Sequence, residues 1–249
     1  MKIIVCVKDV PDTESNIRIT HDGKGIEQES VTFILNPYDE FAVEEALRIK
    51  ESIGGEVTAL TLGLQSAERV LRACFGLGVD NGILIRDDSF TNDPFLTASA
   101  IASYLKNISF DILLFGKKGV DLNYGQVGVM TAEILGIPSV SAITKLEIGE
   151  SKVLCHREAE GNVEKLEVPL PAAFTAEKGL NEPRYPSLKL KMQAKKKEIQ
   201  VVEAQKTDSR INLVKMEYPP KRPEGKIIED NPEAASKLVD FLHNEAKVF

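Results

Sequence analysis

The residues best suited to chemistry in this 249-residue chain lie between Phe115 and Gly128, in the run Phe-Gly-Lys-Lys-Gly-Val-Asp-Leu-Asn-Tyr-Gly-Gln-Val-Gly. A strand is expected just before it, Asp111 to Phe115, and a helix directly after, Gln126 to Leu135. A strand's carboxyl end feeding a helix amino terminus offers free backbone N–H groups and the positive end of the helix dipole, a seat for phosphate. Gly119, Gly125 and Gly128 let the backbone bend and come close to a ligand, Lys117 and Lys118 add positive charge, and Asp121, Asn123 and Gln126 could read a ribose or a base. The spacing matches neither the Walker P-loop nor the G-x-G-x-x-G fingerprint. An ordinary βα loop with solvated lysines is the competing reading.

Other chemistry finds little support. His21, His156 and His243 fall in a turn, a strand and the tail, without metal-ligand spacing. There is no G-x-S-x-G elbow and no cysteine–histidine arrangement that suggests a nucleophile. Asp9, Asp12, Asp39 and Asp121 could gather at strand ends, though acids at helix starts are more often caps than general acids or bases. The residues alone therefore describe a nucleotide-binding domain with no protein-borne catalytic group.

A formal net charge of −7 and the absence of a long basic run before residue 195 argue against nucleic acid as a partner. Three widely spaced cysteines, Cys6, Cys74 and Cys155, fit reduced thiols better than a disulfide framework or a zinc site. The apolar run at the amino terminus is too short to insert in a membrane and lacks a small-residue cleavage site, so it reads as a first strand in a cytoplasmic protein.

The elements that must hold the loop alternate. Lys2 to Val7 reads as a strand buried on both faces, ended by Pro11, and residues 14–35 as a short hairpin or excursion. Asn36 is a natural N-cap, with Pro37 in the first turn and acids behind it, for a helix that runs to Ile53 and stops at Gly54-Gly55. Val57–Leu62 and Gly82–Ile85 read as strands, Ser66–Leu77 as a helix, and Pro94–Leu105 as a helix capped by Asp93. This alternation implies an α/β fold built on a doubly wound parallel sheet, with four strand carboxyl ends converging on one edge. After Pro138 the pattern changes to β segments at 139–148, 152–158, 163–168 and 172–176, a β extension of the sheet. From Asn181 prolines recur, Pro223 among them, and lysines cluster at 195–197 ahead of a short terminal helix, Pro232 to Ala246. So little core material reads as an arm lying on a partner, with a flexible tail as the alternative. The expected division is a nucleotide-binding domain at 1–190 and an extended arm at 191–249.

The sequence resembles the β subunit of electron transfer flavoproteins along nearly its whole length. The resemblance rests on Val7-Lys8-Asp9-Val10-Pro11-Asp12, on Asn36-Pro37-Tyr38-Asp39-Glu40-Phe41-Ala42-Val43-Glu44-Glu45-Ala46, and on the loop from Gly116 to Gly128. It continues through residues 157–164, 171–176, 180–188 and 192–197. It implies an adenine-nucleotide-binding, Rossmann-like fold and an α/β heterodimer. One redox-active FAD, held mainly by the α subunit, would shuttle electrons from a flavin-dependent dehydrogenase to a downstream acceptor. This chain would be the non-catalytic half, binding AMP or, in electron-bifurcating members, a second FAD. The matching pocket is Cys6, Asn36, Pro37, Tyr38, Asp39 and Leu62 with Lys117, Lys118, Gly119, Val120, Asp121, Leu122, Asn123, Tyr124, Gly125, Gln126, Val127 and Gly128. Lys8, Asp12 and Thr13 join the cofactor-facing set, Thr13 near the isoalloxazine. Leu188 becomes the anchor of a loop that docks the dehydrogenase, with Tyr185 and Met192 beside it.

The loop departs from the commoner family pattern, which places glutamine and alanine at Lys118 and Gly119 and a small or acidic set at Leu122 to Tyr124. Bulky Leu122 and Tyr124 would occupy room that a second flavin needs, which favours AMP and a simple carrier over an NADH-oxidising, bifurcating one. Two rivals of the same general fold are a stand-alone nucleotide-binding signalling or stress protein, which has no use for the long arm, and an ATP-pyrophosphatase-like enzyme, whose Ser-Gly-Gly loop is replaced here by Lys8 to Asp12.

Overall fold

A computed structural model describes residues 1–89, 92–149, 152–205, 207–221, 224–229 and 231–248. Its centre is a nine-stranded sheet. In chain order the strands that build it are β1 (Lys2–Cys6), β4 (Glu56–Gly63), β5 (Asn81–Arg86), β6 (Ile112–Gly116), β7 (Ser139–Ile148), β8 (Lys152–Ala159), β9 (Asn162–Pro169), β10 (Ala172–Ala176) and β11 (Gln200–Glu203). Their spatial order is β11-β5-β4-β1-β6-β10-β7-β8-β9. Every pairing from β11 to β7 is parallel, and β7, β8 and β9 form an antiparallel extension. A separate two-stranded ribbon, β2 (Asp9–Pro11) with β3 (Phe33–Leu35), closes the excursion expected at residues 14–35.

Helices cover both faces, as a parallel sheet requires. Along β1, Ile3 and Val5, with Val7 just past its end, pack with α1 (Pro37–Ile53) and α2 (Glu68–Leu77), whereas Ile4 and Cys6 pack with α3 (Pro94–Leu105) and α4 (Val127–Leu135). β6 repeats the pattern, with Ile112 and Leu114 on the first face and Leu113 and Phe115 on the second. This period of two explains why both strands are continuous aliphatic runs. α3 begins as expected: the Asp93 carboxylate accepts from the N–H groups of Phe95 and Leu96 at 2.8 and 3.4 Å.

Two elements beyond Pro186 had no counterpart in the sequence reading. α5 (Leu188–Ala194) lies against α2 with Ala194 buried, and β11 pairs in parallel with β5, at the sheet edge. From there the chain returns as a strap. Ser209 Oγ and the Arg210 N–H donate to Asp93 Oδ2, the Met216 N–H donates to the Gly23 carbonyl, and Tyr218 Oη accepts from the Ile19 N–H. The terminal helix is shorter than expected, α6 (Ala234–Asp240) followed by a wider-wound turn from Phe241 to Glu245. Pro223 lies outside the described residues.

Candidate functional site

The carboxyl ends of β1, β4 and β6 open into a cleft on the α3/α4 side of the sheet. Its floor is Cys6, Leu60, Leu62 and Phe115, one wall is α3 with Pro94, Thr97 and Ile101, and the opposite wall is the loop from Gly116 to Gly128. Burial pushes the Cys6 thiol well above its ordinary value, so the floor is neutral.

Asn36 and Asp39 hold this arrangement together. Asn36 stands at the N-cap position of α1 but makes no side-chain cap. Its amide instead donates to Asp39 Oδ1 and to the Lys118 carbonyl, both at 2.9 Å, and its Oδ1 accepts from the Val120 N–H at 3.2 Å. Asn36 thus holds the N-cap position as expected, but its side chain does not cap: it is drawn away from the helix because the loop supplies both a donor and an acceptor. Asp39 accepts from the Lys8 N–H at 2.7 Å and the Gly116 N–H at 3.0 Å, tying the ends of β1 and β6 to the first turn of α1. Burial raises the Asp39 carboxyl to about 7, although the three N–H donors oppose the shift.

The loop is shaped by left-handed backbone at Asn123 (φ 62°) and Gly125 (φ 63°), and by the Asn123 N–H donating to the Gly119 carbonyl at 2.9 Å. It delivers the chain to α4, where the Met130 N–H closes the first turn on the Gln126 carbonyl. The N–H groups of Val127, Gly128 and Val129 precede that bond and have no acceptor within the helix, and the Gln126 side chain does not cap them. Gln126, Val127 and Gly128 line the cleft, so the positive end of α4 is presented to it.

The lysines divide. Lys8 Nζ meets Asp121 Oδ2 at 2.6 Å, and Lys117 is ion-paired to Glu177, which raises its pKa. Lys118 lies over the Tyr38 ring at 5.7 Å and, among the described residues, makes no ion pair. The second oxygen of Asp121 is buried with no partner among the described residues, an acceptor of the kind a ribose hydroxyl would satisfy. Leu122, Asn123, Tyr124 and Gly125 complete the rim.

Of the residues singled out from sequence, Lys8, Asn36, Asp39 and the loop positions Lys117 to Gly119 and Asp121 to Gly128 line the cleft together with Cys6 and Leu62. Pro37, Tyr38 and Val120 are not part of that lining, and Asp12 and Thr13 lie in the turn after β2, Thr13 exposed. Tyr185, Leu188 and Met192 are elsewhere, at and before α5, all exposed. The α3 wall and Glu177 were not anticipated. The Asp93-Pro94 cap signature could have supplied the first, because it starts a helix at the carboxyl end of β5 on this edge. Among the described residues no group of histidine, cysteine and acidic side chains suits a metal ion, and no helix is long and apolar enough to cross a membrane.

Comparison with known proteins adds a consistent picture. Residues 24–207 match the electron transfer flavoprotein domain family. The chain is 40% identical to the electron transfer flavoprotein subunit beta of Bacillus subtilis, over the whole of both chains. It is 39% identical to that of Syntrophomonas wolfei, over all of this chain and 98% of the relative, and 35% identical to the mitochondrial subunit beta of Oryza sativa over the full length of both. These matches establish that the chain, with its cleft at the strand ends of a doubly wound sheet, belongs to the electron transfer flavoprotein subunit beta family.

Proposed function

We propose that this chain is the β subunit of a heterodimeric carrier that takes electrons from flavin-dependent dehydrogenases of the acyl-CoA type and passes them to a downstream acceptor, with AMP bound in the cleft. The observation that carries the nucleotide assignment is the charge of the site. Lys8 and Lys117 are each paired with a carboxylate, which leaves Lys118 and the α4 amino terminus to meet the ligand's anionic group. That balance suits one phosphate better than two. Asp121 Oδ1 would take a ribose hydroxyl, and Leu60, Leu62 and Ile101 would flank the base.

FAD, shared with an α subunit that holds most of it, supplies the redox chemistry. This chain offers the turn at Asp12 and Thr13 toward it and brings no acid, base or nucleophile of its own. Of the arm expected at residues 191–249, the part up to β11 packs on this chain's own α2 and β5, and the part beyond β11 serves to pack on the α subunit; Val214, Tyr218 and Ile227 are exposed apolar side chains along it, Ile227 at 97%. Tyr185, Leu188 and Met192 form the dehydrogenase contact, an apolar group among lysines whose charge steers approach. The three buried, free cysteines suit a reducing compartment such as the cytoplasm.

The test is to co-purify the chain with its α subunit, denature the complex, and quantify released FAD and AMP. One FAD with one AMP per heterodimer is expected. Two FAD and no AMP would replace the simple carrier with a bifurcating one that oxidises NADH.

A further inference from the structure

We propose that Arg184 is the positioning residue that fixes the docking segment to the body of the chain, an inference that rests on reading Tyr185, Leu188 and Met192 as the dehydrogenase contact. Arg184 precedes the first of these. Its Nε donates to Glu44 Oε2 at 2.7 Å and its Nη2 to Glu44 Oε1 at 3.0 Å, while Nη1 and Nη2 reach both oxygens of Glu51, two turns further along α1. The Arg184 N–H adds a bond to Glu44 Oε2 at 3.1 Å. Three residues earlier, Asn181 Nδ2 donates to the Phe41 carbonyl and to Glu45 Oε2 at 3.0 and 2.9 Å. The amino-terminal side of the segment is therefore fastened to α1 over several turns.

The other side is fastened to α2 and to the turn that follows it. Arg72 Nη1 donates to the carbonyls of Ala194 and Lys197 at 2.8 and 2.6 Å, and Lys197 Nζ donates to the carbonyls of Val79 and Asp80 at 2.8 and 2.9 Å. Between these fastenings Tyr185 is 96% exposed and Leu188 82% exposed, so burial of their own side chains does not hold them in place. Exposed ion pairs contribute little to folding stability as a rule. A guanidinium forked onto two carboxylates nevertheless specifies direction as no single charge can. Holding the segment before the partner arrives removes ordering entropy from the encounter.

The experiment uses the heterodimer as electron acceptor for a substrate-reduced acyl-CoA dehydrogenase, with flavoprotein concentration varied. Arg184→Ala is expected to raise KM by about fivefold or more while kcat stays within about twofold and FAD and AMP contents are unchanged. Leu188→Ala should raise KM likewise, and the double variant should be little worse than the more affected single one. A normal KM in Arg184→Ala beside a raised KM in Leu188→Ala would overturn the positioning role and leave the docking reading intact. Effects that multiply fully in the double variant would also overturn it. A normal KM in Leu188→Ala would remove the docking reading and this inference with it. Should Arg184→Ala fail to fold, Glu51→Gln removes the exposed half of the fork, and an unchanged KM there counts against the proposal just as directly.

Discussion

A Cβ placed on Gly116 would stand 2.2 Å from Asp39 Oδ1 and 2.7 Å from the Asp39 backbone nitrogen, so the end of β6 and the first turn of α1 are in contact with no room for a side chain between them. Because part of that obstacle is backbone, a rotamer change cannot relieve it. Gly116→Ala should displace the amino end of α1, break the Gly116 N–H bond to Asp39, and cost about 1–3 kcal/mol. Thermal unfolding should show a lowered Tm, and the purified complex should have lost AMP.

Burial makes Asp39 a source of pH dependence. Its carboxyl sits at about 7 when folded, and that of Asp9 at about 6, against an ordinary 3.8. Between roughly pH 4 and 7 the folded chain keeps protons that the unfolded chain has released, so stability falls as pH rises, by up to about 1.4 kcal/mol per pH unit for each group. Above about 7 the dependence flattens. In Asp39→Asn the part of this dependence that reaches to about pH 7 should vanish, leaving Asp9's, which ends near 6, at an overall cost of about 1–3 kcal/mol, because the new NH2 group faces N–H donors. Urea unfolding at a series of pH values measures both effects.

The two loop lysines should behave differently. Lys118→Gln removes the cation that has no ion-pair partner among the described residues and should weaken AMP binding by about tenfold. Lys117→Gln leaves Glu177 to be solvated at the rim and should weaken it less than about threefold. Titration calorimetry on nucleotide-depleted complex would show the contrast; equal effects would mean that Lys117 leaves Glu177 for the ligand.

Asp93 has two duties, one oxygen capping α3 and the other holding the strap at Ser209 and Arg210. Asp93→Ala should cost about 1–2 kcal/mol from the cap. It should also speed limited proteolysis between residues 207 and 218, which loss of a cap alone would not do.

The fold was legible where one physical signal dominated. Aliphatic runs gave β1 and β6, the change to β segments after Pro138 gave β7 with both ends correct, and the Asp93-Pro94 pair gave the start of α3. β11 escaped because Gln-Val-Val-Glu after a lysine cluster has too little apolar pattern; it is a strand only because β5 has an open edge to receive it. α5 escaped for a similar reason, since of its residues only Leu190 and Ala194 are not exposed. At the site, residue types and loop placement could be read, but partners could not. Nothing local in the sequence says that Asn36 serves the backbone at Lys118 and Val120, or that Glu177 holds Lys117.

The strand order also bears on how the chain is made. β10 lies between β6 and β7, and β11 completes the edge beside β5, so neither the middle nor one margin of the sheet can close in the order of synthesis. On the ribosome, β6 waits for the β8–β9 hairpin to pass before its neighbour emerges, and β5 keeps an unpaired margin until nearly the whole chain has appeared. Such delayed parallel pairings are slow to form and leave sticky margins in the interim. The nascent chain is thus most vulnerable to misassociation before residues 172–203 emerge and close both the middle and the margin of the sheet.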